Sequence, residues 1–320
     1  MKTIFFGSGN FAVKILEGIL KMPFLEVVAV VTQPDKPAGR DKVLTPCPVK
    51  AALKDLQYAG KVYEPVKLRN TLEFSPILAE QQPEFILVAD YGQIIPVEII
   101  DYPKHKCLNV HGSLLPDLRG AVPAPIAILR GYNTTGVSIP VMTPGLDDGA
   151  IVASREAEIQ ADDTTFSLRM RLADIGIELL NQVLPDWFAG KIIATTQDES
   201  KATLTKQSDI AKEKAQVTRD TPVVLAERMV RAFSPWPIAW CSIKVNGKVK
   251  RLKILKATIV KQTETNFQEL QQPQFTLAKV NKNIYLVLSD GILQLNQLQL
   301  EGKNVGSANE YLFLDKAEFV

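Results

Sequence analysis

The chain has 320 residues, 46% of them hydrophobic and 22% charged, with a formal net charge of +2. That is length enough for about two domains with proper cores, and no stretch approaches the roughly 18 apolar residues of a membrane span. Three scattered cysteines (Cys47, Cys107, Cys241) and two histidines (His105, His111) argue against a disulfide framework and against a His/Cys metal site.

The opening residues Met1 to Gly7 hold one basic residue and an apolar run too short for a signal segment. A soluble, cytoplasmic, monomeric protein without metal is expected. Its charge is unevenly spread. Residues 1–200 carry 19 Lys+Arg against 24 Asp+Glu, a net −5, whereas residues 201–320 carry 18 against 11, a net +7. The stretch 244–261 has seven basic residues and no acidic one. Such a footprint suits a polyanion, though a solvated strand face would look the same.

In chain order, Ile4-Phe5-Phe6 predicts a buried strand, and Gly7-Ser8-Gly9-Asn10-Phe11-Ala12 opens a helix through about Lys21. With Ala in the last position, this turn nearly matches the glycine-rich dinucleotide fingerprint. After a second strand over 27–31, however, Thr32-Gln33 offers no acid for a ribose hydroxyl, so the turn reads as a tight strand-to-helix connection. Residues 32–48 hold four prolines, Gly39 and mixed charges without periodicity, which suggests a functional loop or disorder. Strands are expected over 61–63, 85–89, 106–111, 136–142 and 150–156. Helices are expected near 48–57, 72–81, 123–130 and 164–184. This alternation predicts an α/β fold with a doubly wound, mostly parallel sheet, whose ligands sit outside the carboxyl ends of the strands.

At one such end the chain reads Cys107-Leu108-Asn109-Val110-His111-Gly112, and a later turn reads Gly145-Leu146-Asp147-Asp148-Gly149. The two-residue period of a strand puts Asn109 and His111 on one face, roughly 7 Å apart along the chain. The turn can deliver Asp147 to the same rim. An amide, an imidazole and a carboxylate contain no nucleophile, but they can stabilise an oxyanion and manage a proton while an external amine attacks a carbonyl. Taken singly, each residue also fits a turn or packing role.

Residues 195–221 are polar and charge-rich and are expected to be a linker with some helical content. Thr221-Pro222 is a plausible cap and first turn for a helix through Arg231. Strand-like runs follow over 239–245, 249–259, 275–280, 284–288 and 292–300, with hairpin signals at Asn246-Gly247 and Asp290-Gly291. Five short strands predict a small barrel of the kind often used to bind nucleic acid.

The segments Asn109-Val110-His111-Gly112-Ser113-Leu114-Leu115-Pro116, Arg119-Gly120-Ala121, Thr135-Gly136-Val137-Ser138 and Gly145-Leu146-Asp147 resemble the signature of the 10-formyltetrahydrofolate-dependent formyltransferases. The resemblance covers nearly the whole chain and implies a catalytic domain over 1–190, a linker over 191–206 and an OB-like domain over 207–320. It implies that Asn109 and His111 stabilise the oxyanion on the formyl carbon. Asp147 would position His111 and a water that relays the proton. Ser113, Leu114, Leu115 and Pro116 would touch the folate, and the segment with Gly92, Gln93, Ile94 and Ile95 would line the pterin pocket. Pro37-Ala38-Gly39-Arg40 and Arg231-Ala232-Phe233-Ser234-Pro235-Trp236-Pro237 resemble segments of those family members that act on initiator methionyl-tRNA. Arg40, Lys42, Lys248, Lys250 and Arg251 would then contact the tRNA. Two alternatives stay open: a formyltransferase with a small acceptor (an amino-sugar nucleotide or glycinamide ribonucleotide), and a nicotinamide oxidoreductase or RNA-binding protein on the same sheet. A small acceptor needs neither the basic second domain nor the Arg40 loop.

Overall fold

The computed structural model describes residues 1–39, 41–68, 71–261, 276–314 and 317–320. By internal contacts the chain divides into two compact units. The first comprises Met1–Pro123, Thr134–Glu158 and Arg169–Thr205; the second comprises Ala124–Asn133, Ile159–Leu168 and Lys206–Val320.

The first unit is built on strands with almost unbroken apolar runs, which the two covered faces of a parallel sheet require. Strand β1 (Lys2–Gly7) leads into helix α1 (Asn10–Ile19), and β2 (Glu26–Val31) follows. The loop after β2 carries a short hairpin, β3 (Lys36–Ala38) and β4 (Val43–Thr45), where the sequence shows no periodicity. Three-residue strands, one with Pro37 at its centre, are too short to display an alternation. The loop is pinned near its start. Gln33 donates to the Tyr91 carbonyl (2.9 Å), and Lys50 bridges Asp35 (2.7 Å) and Glu64 (2.8 Å).

Helix α2 (Pro48–Ala52) is shorter than expected, continuing as turns to Gln57, which sits at φ +54°. Then come β5 (Lys61–Tyr63), α3 (Thr71–Gln81), β6 (Phe85–Ala89), a single-turn α4 (Val97–Ile100) and β7 (Cys107–Asn109). Lys106 is left-handed (φ +68°), so β7 begins one residue later than the sequence suggests. The sheet order is β5-β2-β1-β6-β7, with all four pairings parallel. The order reverses between β1 and β6, the switch point of a doubly wound sheet. One of its cores gathers Ile4, Phe6, Val31, Phe74, Ile86, Tyr91 and neighbours, all buried.

Further along the chain come β8 (Arg119–Gly120), α5 (Pro123–Arg130), the antiparallel pair β9 (Thr134–Pro140) and β10 (Ile151–Glu158), and the long helix α6 (Thr165–Phe188). Single bridges from Leu108 to Val141 and from His111 to Ser138 attach β9 to the end of the sheet. The stretch after α6 is not a free spacer. Thr195 bridges to Ile151, and β11 (Leu204–Thr205) pairs in parallel with β8.

In the second unit, α7 (Val223–Ala232) precedes β12 (Ala239–Val245), β13 (Lys248–Ile259), β14 (Thr276–Val280), β15 (Asn283–Val287), β16 (Ile292–Leu300), β17 (Gly306–Ser307) and β18 (Glu318–Phe319). Pairings run β13-β12-β18-β14-β15-β16, and β16 pairs back to β13, closing an antiparallel barrel. Two register shifts bend the twelve-residue β13 so that its first half pairs β12 and its second half β16. The Asn246-Gly247 turn joins β12 to β13 with both residues left-handed (φ +50° and +76°). The cap of α7 differs from expectation. Thr221 turns its hydroxyl to the Thr218 amide (2.9 Å), and the Asp290 carboxylate, at the second hairpin signal, accepts from the Val223 amide (2.8 Å) instead.

Candidate active site

Asn109 ends β7, and His111 lies two residues on, held in extended backbone by its two hydrogen bonds with Ser138 (2.9 and 3.0 Å). Their side chains therefore leave the same face at the carboxyl end of the parallel sheet. Asp147 arrives from the turn before β10, in left-handed backbone (φ +51°). Its Oδ1 accepts from Asn109 Nδ2 (3.1 Å), and its Oδ2 accepts from the Gly120 amide (2.8 Å) and faces His111 Nδ1 at 3.5 Å. The three expected residues are thus one cluster, with the His111 and Asp147 side chains only 6% and 12% exposed.

The far side of the imidazole is fixed as well. Nε2 lies 3.0 Å from the Leu118 carbonyl, and a carbonyl can only accept, so Nε2 carries the hydrogen. Asp147 has its own frame. Gln197 Nε2 donates to the carbonyls of Asp147 (2.8 Å) and Gly149 (2.7 Å), while Gln197 Oε1 accepts from Arg119 Nε (3.0 Å) and Nη2 (2.8 Å). Arg119, itself buried, also grips Glu199 through two hydrogen bonds of 3.0 and 2.6 Å. This fork holds the Glu199 carboxyl below the usual carboxylate range and strengthens the guanidinium's hold on its proton. Gly120, at φ +102°, completes the frame, since a methyl there would overlap the Thr205 carbonyl.

The segments expected to meet a folate are placed in different ways. Ser113 is buried with its hydroxyl donating to the Asp117 carbonyl (2.6 Å), and Leu115 is buried too, so both serve the loop itself. Leu114 and Pro116 are partly exposed. Gly92 is left-handed (φ +76°), and Gln93 spends its amide on the Leu68 amide and the Pro65 carbonyl (both 3.1 Å). Ile95 points into the core, whereas Ile94 is 66% exposed; Leu146, beside Asp147, is 55% exposed.

Arg40 lies outside the described residues, and Lys42 is exposed on the turn between β3 and β4. Along β13 the pleat sends Lys248 and Lys250 to the face of the buried Leu252 and Ile254, at the barrel's rim. Arg251 points to the opposite face, its guanidinium 4.1 Å from the ring of Trp240. Arg251 thus lies on the opposite face of the strand from Lys248 and Lys250.

The glycine-rich turn is closed from within. The Ser8 and Gly9 amides donate to the Asp90 carbonyl (3.1 and 3.4 Å), and a side chain at Gly9 would overlap the Asp90 carboxylate, which Arg169 pairs at 2.7 Å. These amides have no freedom to cradle a pyrophosphate. Among the described residues no group of three or more His, Cys, Asp or Glu side chains could hold a metal ion, and no described helix is long and apolar enough to cross a membrane.

Gln197 is the residue that the sequence does not announce. It lies in a polar, aperiodic stretch, and the bridge of Thr195 to Ile151 and the β8–β11 pairing are what return that stretch to the site.

Comparison with known proteins adds the family. Residues 1–184 match the formyl transferase family, and residues 209–313 match the formyl transferase C-terminal domain. A methionyl-tRNA formyltransferase of Caldicellulosiruptor saccharolyticus is 36% identical over 313 residues, covering 98% of this chain and 96% of that protein. One from Listeria monocytogenes is 40% identical over 257 residues, or 80% and 79% of the two chains. Among solved structures, an N-formyltransferase of Helicobacter canadensis in complex with folinic acid and dTDP-3-aminofucose superposes with a TM-score of 0.63 at 18% identity, covering 92% of this chain and 98% of that one. At that identity the likeness shows a shared fold, while the family match over more than half of the chain and the long alignments settle its kinship: the chain belongs to the formyl transferase family.

Proposed function

We propose that this protein transfers the formyl group of 10-formyltetrahydrofolate to the α-amino group of methionyl-initiator tRNA. The observation that carries the chemistry is the convergence of Asn109, His111 and Asp147 on one rim of the sheet. The relatives' names carry the acceptor, since they align with almost the whole chain.

The folate supplies an activated formyl carbon and departs as tetrahydrofolate. Asn109 has two amide hydrogens and gives one to Asp147, leaving the other for an oxyanion on that carbon. The Nδ1 edge of His111 faces Asp147 at 3.5 Å without a close bond, so it is the ring edge left open to the reacting groups. Asp147 steers His111 and receives the proton that the attacking amine sheds, through a bridging water. That proton ends on the folate nitrogen as its bond to carbon breaks, so no covalent enzyme intermediate is needed. The uncovered Ile94 and Leu146 offer apolar surface to an aromatic ring, which fits a pterin. Remote binding of the tRNA supplies the orientation of the attacking amine.

The test is formyl transfer to methionyl-initiator tRNA beside glycinamide ribonucleotide and an amino-sugar nucleotide. Turnover confined to the tRNA is expected, with His111→Ala and Asp147→Ala each lowering kcat by about 100-fold or more. Turnover with a small acceptor alone would reassign the substrate, and full turnover in both variants would remove the mechanism.

A further inference from the structure

We infer that Gln197 is a positioning residue for Asp147, acting from outside the reacting groups, and that Arg119 is what orients it. The inference rests on the catalytic assignment of Asp147 proposed above. Its own ground is geometric. Asp147 must hold a left-handed backbone (φ +51°) to aim its carboxylate at Asn109 and His111. An aspartate in that region relaxes readily toward extended or helical backbone unless its surroundings hold it. The Gly120 amide fixes the side chain, while the backbone carbonyls of the turn, at Asp147 and Gly149, are held by the Gln197 amide at 2.8 and 2.7 Å.

The orientation of that amide leaves no ambiguity. Two carbonyls on one side demand the NH2 group, and two Arg119 nitrogens on the other demand the oxygen. Every bonding site Gln197 uses is therefore matched, and the residue is buried, with an exposure of 7%. Arg119 is 5% exposed, and its remaining hydrogen bonds go to Glu199. The chain Glu199–Arg119–Gln197–Asp147 thus runs from the surface to the reacting carboxylate. Each link restricts the next, as a supporting shell does around any site whose groups must be held within about 0.5 Å.

This makes the substitution Gln197→Glu informative. It keeps the shape and the pairing with Arg119, but sets a carboxylate oxygen against the two carbonyls. The expected result is a fall in kcat of about 10- to 100-fold, the scale on which misplacement of a reacting group by an ångström acts. KM for methionyl-tRNA and for the folate should stay within about twofold, because no substrate contact is altered. Gln197→Met, which removes the bonds without adding charge, should fall in the same way with intact folding by circular dichroism and thermal melting.

A readout independent of turnover is available because the chain has only two histidines. In the 15N–1H spectrum of the imidazoles, assigned with His105→Gln, the His111 signals of Gln197→Glu should move toward those of Asp147→Asn, while those of His105 stay in place. Unchanged kcat and unchanged His111 signals in both folded Gln197 variants would overturn the inference. Asp147→Ala in the same assay separates the two levels: if it retains turnover, the catalytic assignment itself fails, whereas an inactive Asp147→Ala beside fully active Gln197 variants sinks only the positioning role.

Discussion

Asp147 combines two demands that pull apart. The left-handed backbone costs a non-glycine residue about 1–3 kcal/mol, and aspartate and asparagine bear it better than others. Asp147→Asn should therefore unfold in urea at a higher midpoint than Asp147→Ala, while both lose turnover. Equal stability of the two variants would mean that the turn stores no such strain. Gly9 answers to a different constraint. Gly9→Ala places a methyl against the Asp90 carboxylate and should break its pair with Arg169, at about 1–3 kcal/mol in a urea titration. At this scale the sequence was partly legible. The spacing of Asn109 and His111 followed from the strand period, and Asp147 from a turn of glycines and acids. Gln197 left no mark, because a polar side chain used for a long-range carbonyl contact looks like any solvated one. Ser113 shows the other side of this: its place in a motif pointed to a ligand, while its hydroxyl is turned to its own loop.

Among the elements, β13 shows how a strand sorts charge. Its run of cations reads as a single basic patch until the pleat divides it between the rim and the outer face. If the outer face meets the tRNA, replacing Arg251 and Lys253 with alanine should lower the slope of log K against log salt by about 2, roughly one for each phosphate no longer neutralised. Replacing Lys248 and Lys250 should change it less; the reverse order would place the tRNA at the rim. Arg251→Ala should also alter the fluorescence of Trp240, whose ring it covers at 4.1 Å. Helix α7 offers a test of remote capping, since Asp290→Ala removes the acceptor of the Val223 amide and should cost about 1 kcal/mol. The sequence named both ends of that contact, a helix start and an Asp-Gly turn, but their meeting depends on the closure of the barrel. The hairpin of β3 and β4 was illegible for a simpler reason, its strands being shorter than the pattern that reveals strands.

For the molecule as a whole, the buried thiols set a limit in alkali. Burial pushes Cys241 up from 9.0 to about 12 and Cys107 upward as well. Because the folded pKa lies above the unfolded one, their contribution to stability is whole below about pH 9 and declines as the pH rises toward 12. Unfolding midpoints in urea should fall over that window. In the native state a thiol reagent at neutral pH should titrate Cys47 alone, the one cysteine that is not buried, and all three after denaturation. The fold class was the most legible feature of all, since alternating apolar strands and helices leave few sheets to choose from. What it did not reveal is where the first unit stops. The two family matches leave residues 185–208 between them, which invites treating that interval as an exchangeable tether. Yet Gln197, Thr203 and Thr205 all bond to the loop that carries Arg119 and Gly120. Recombination between relatives, in the laboratory or in evolution, would then succeed at a crossover after Thr205 and fail at one just after α6. A chimera joined there would inherit the strand β11 of one parent and the Asp147 carboxylate of the other.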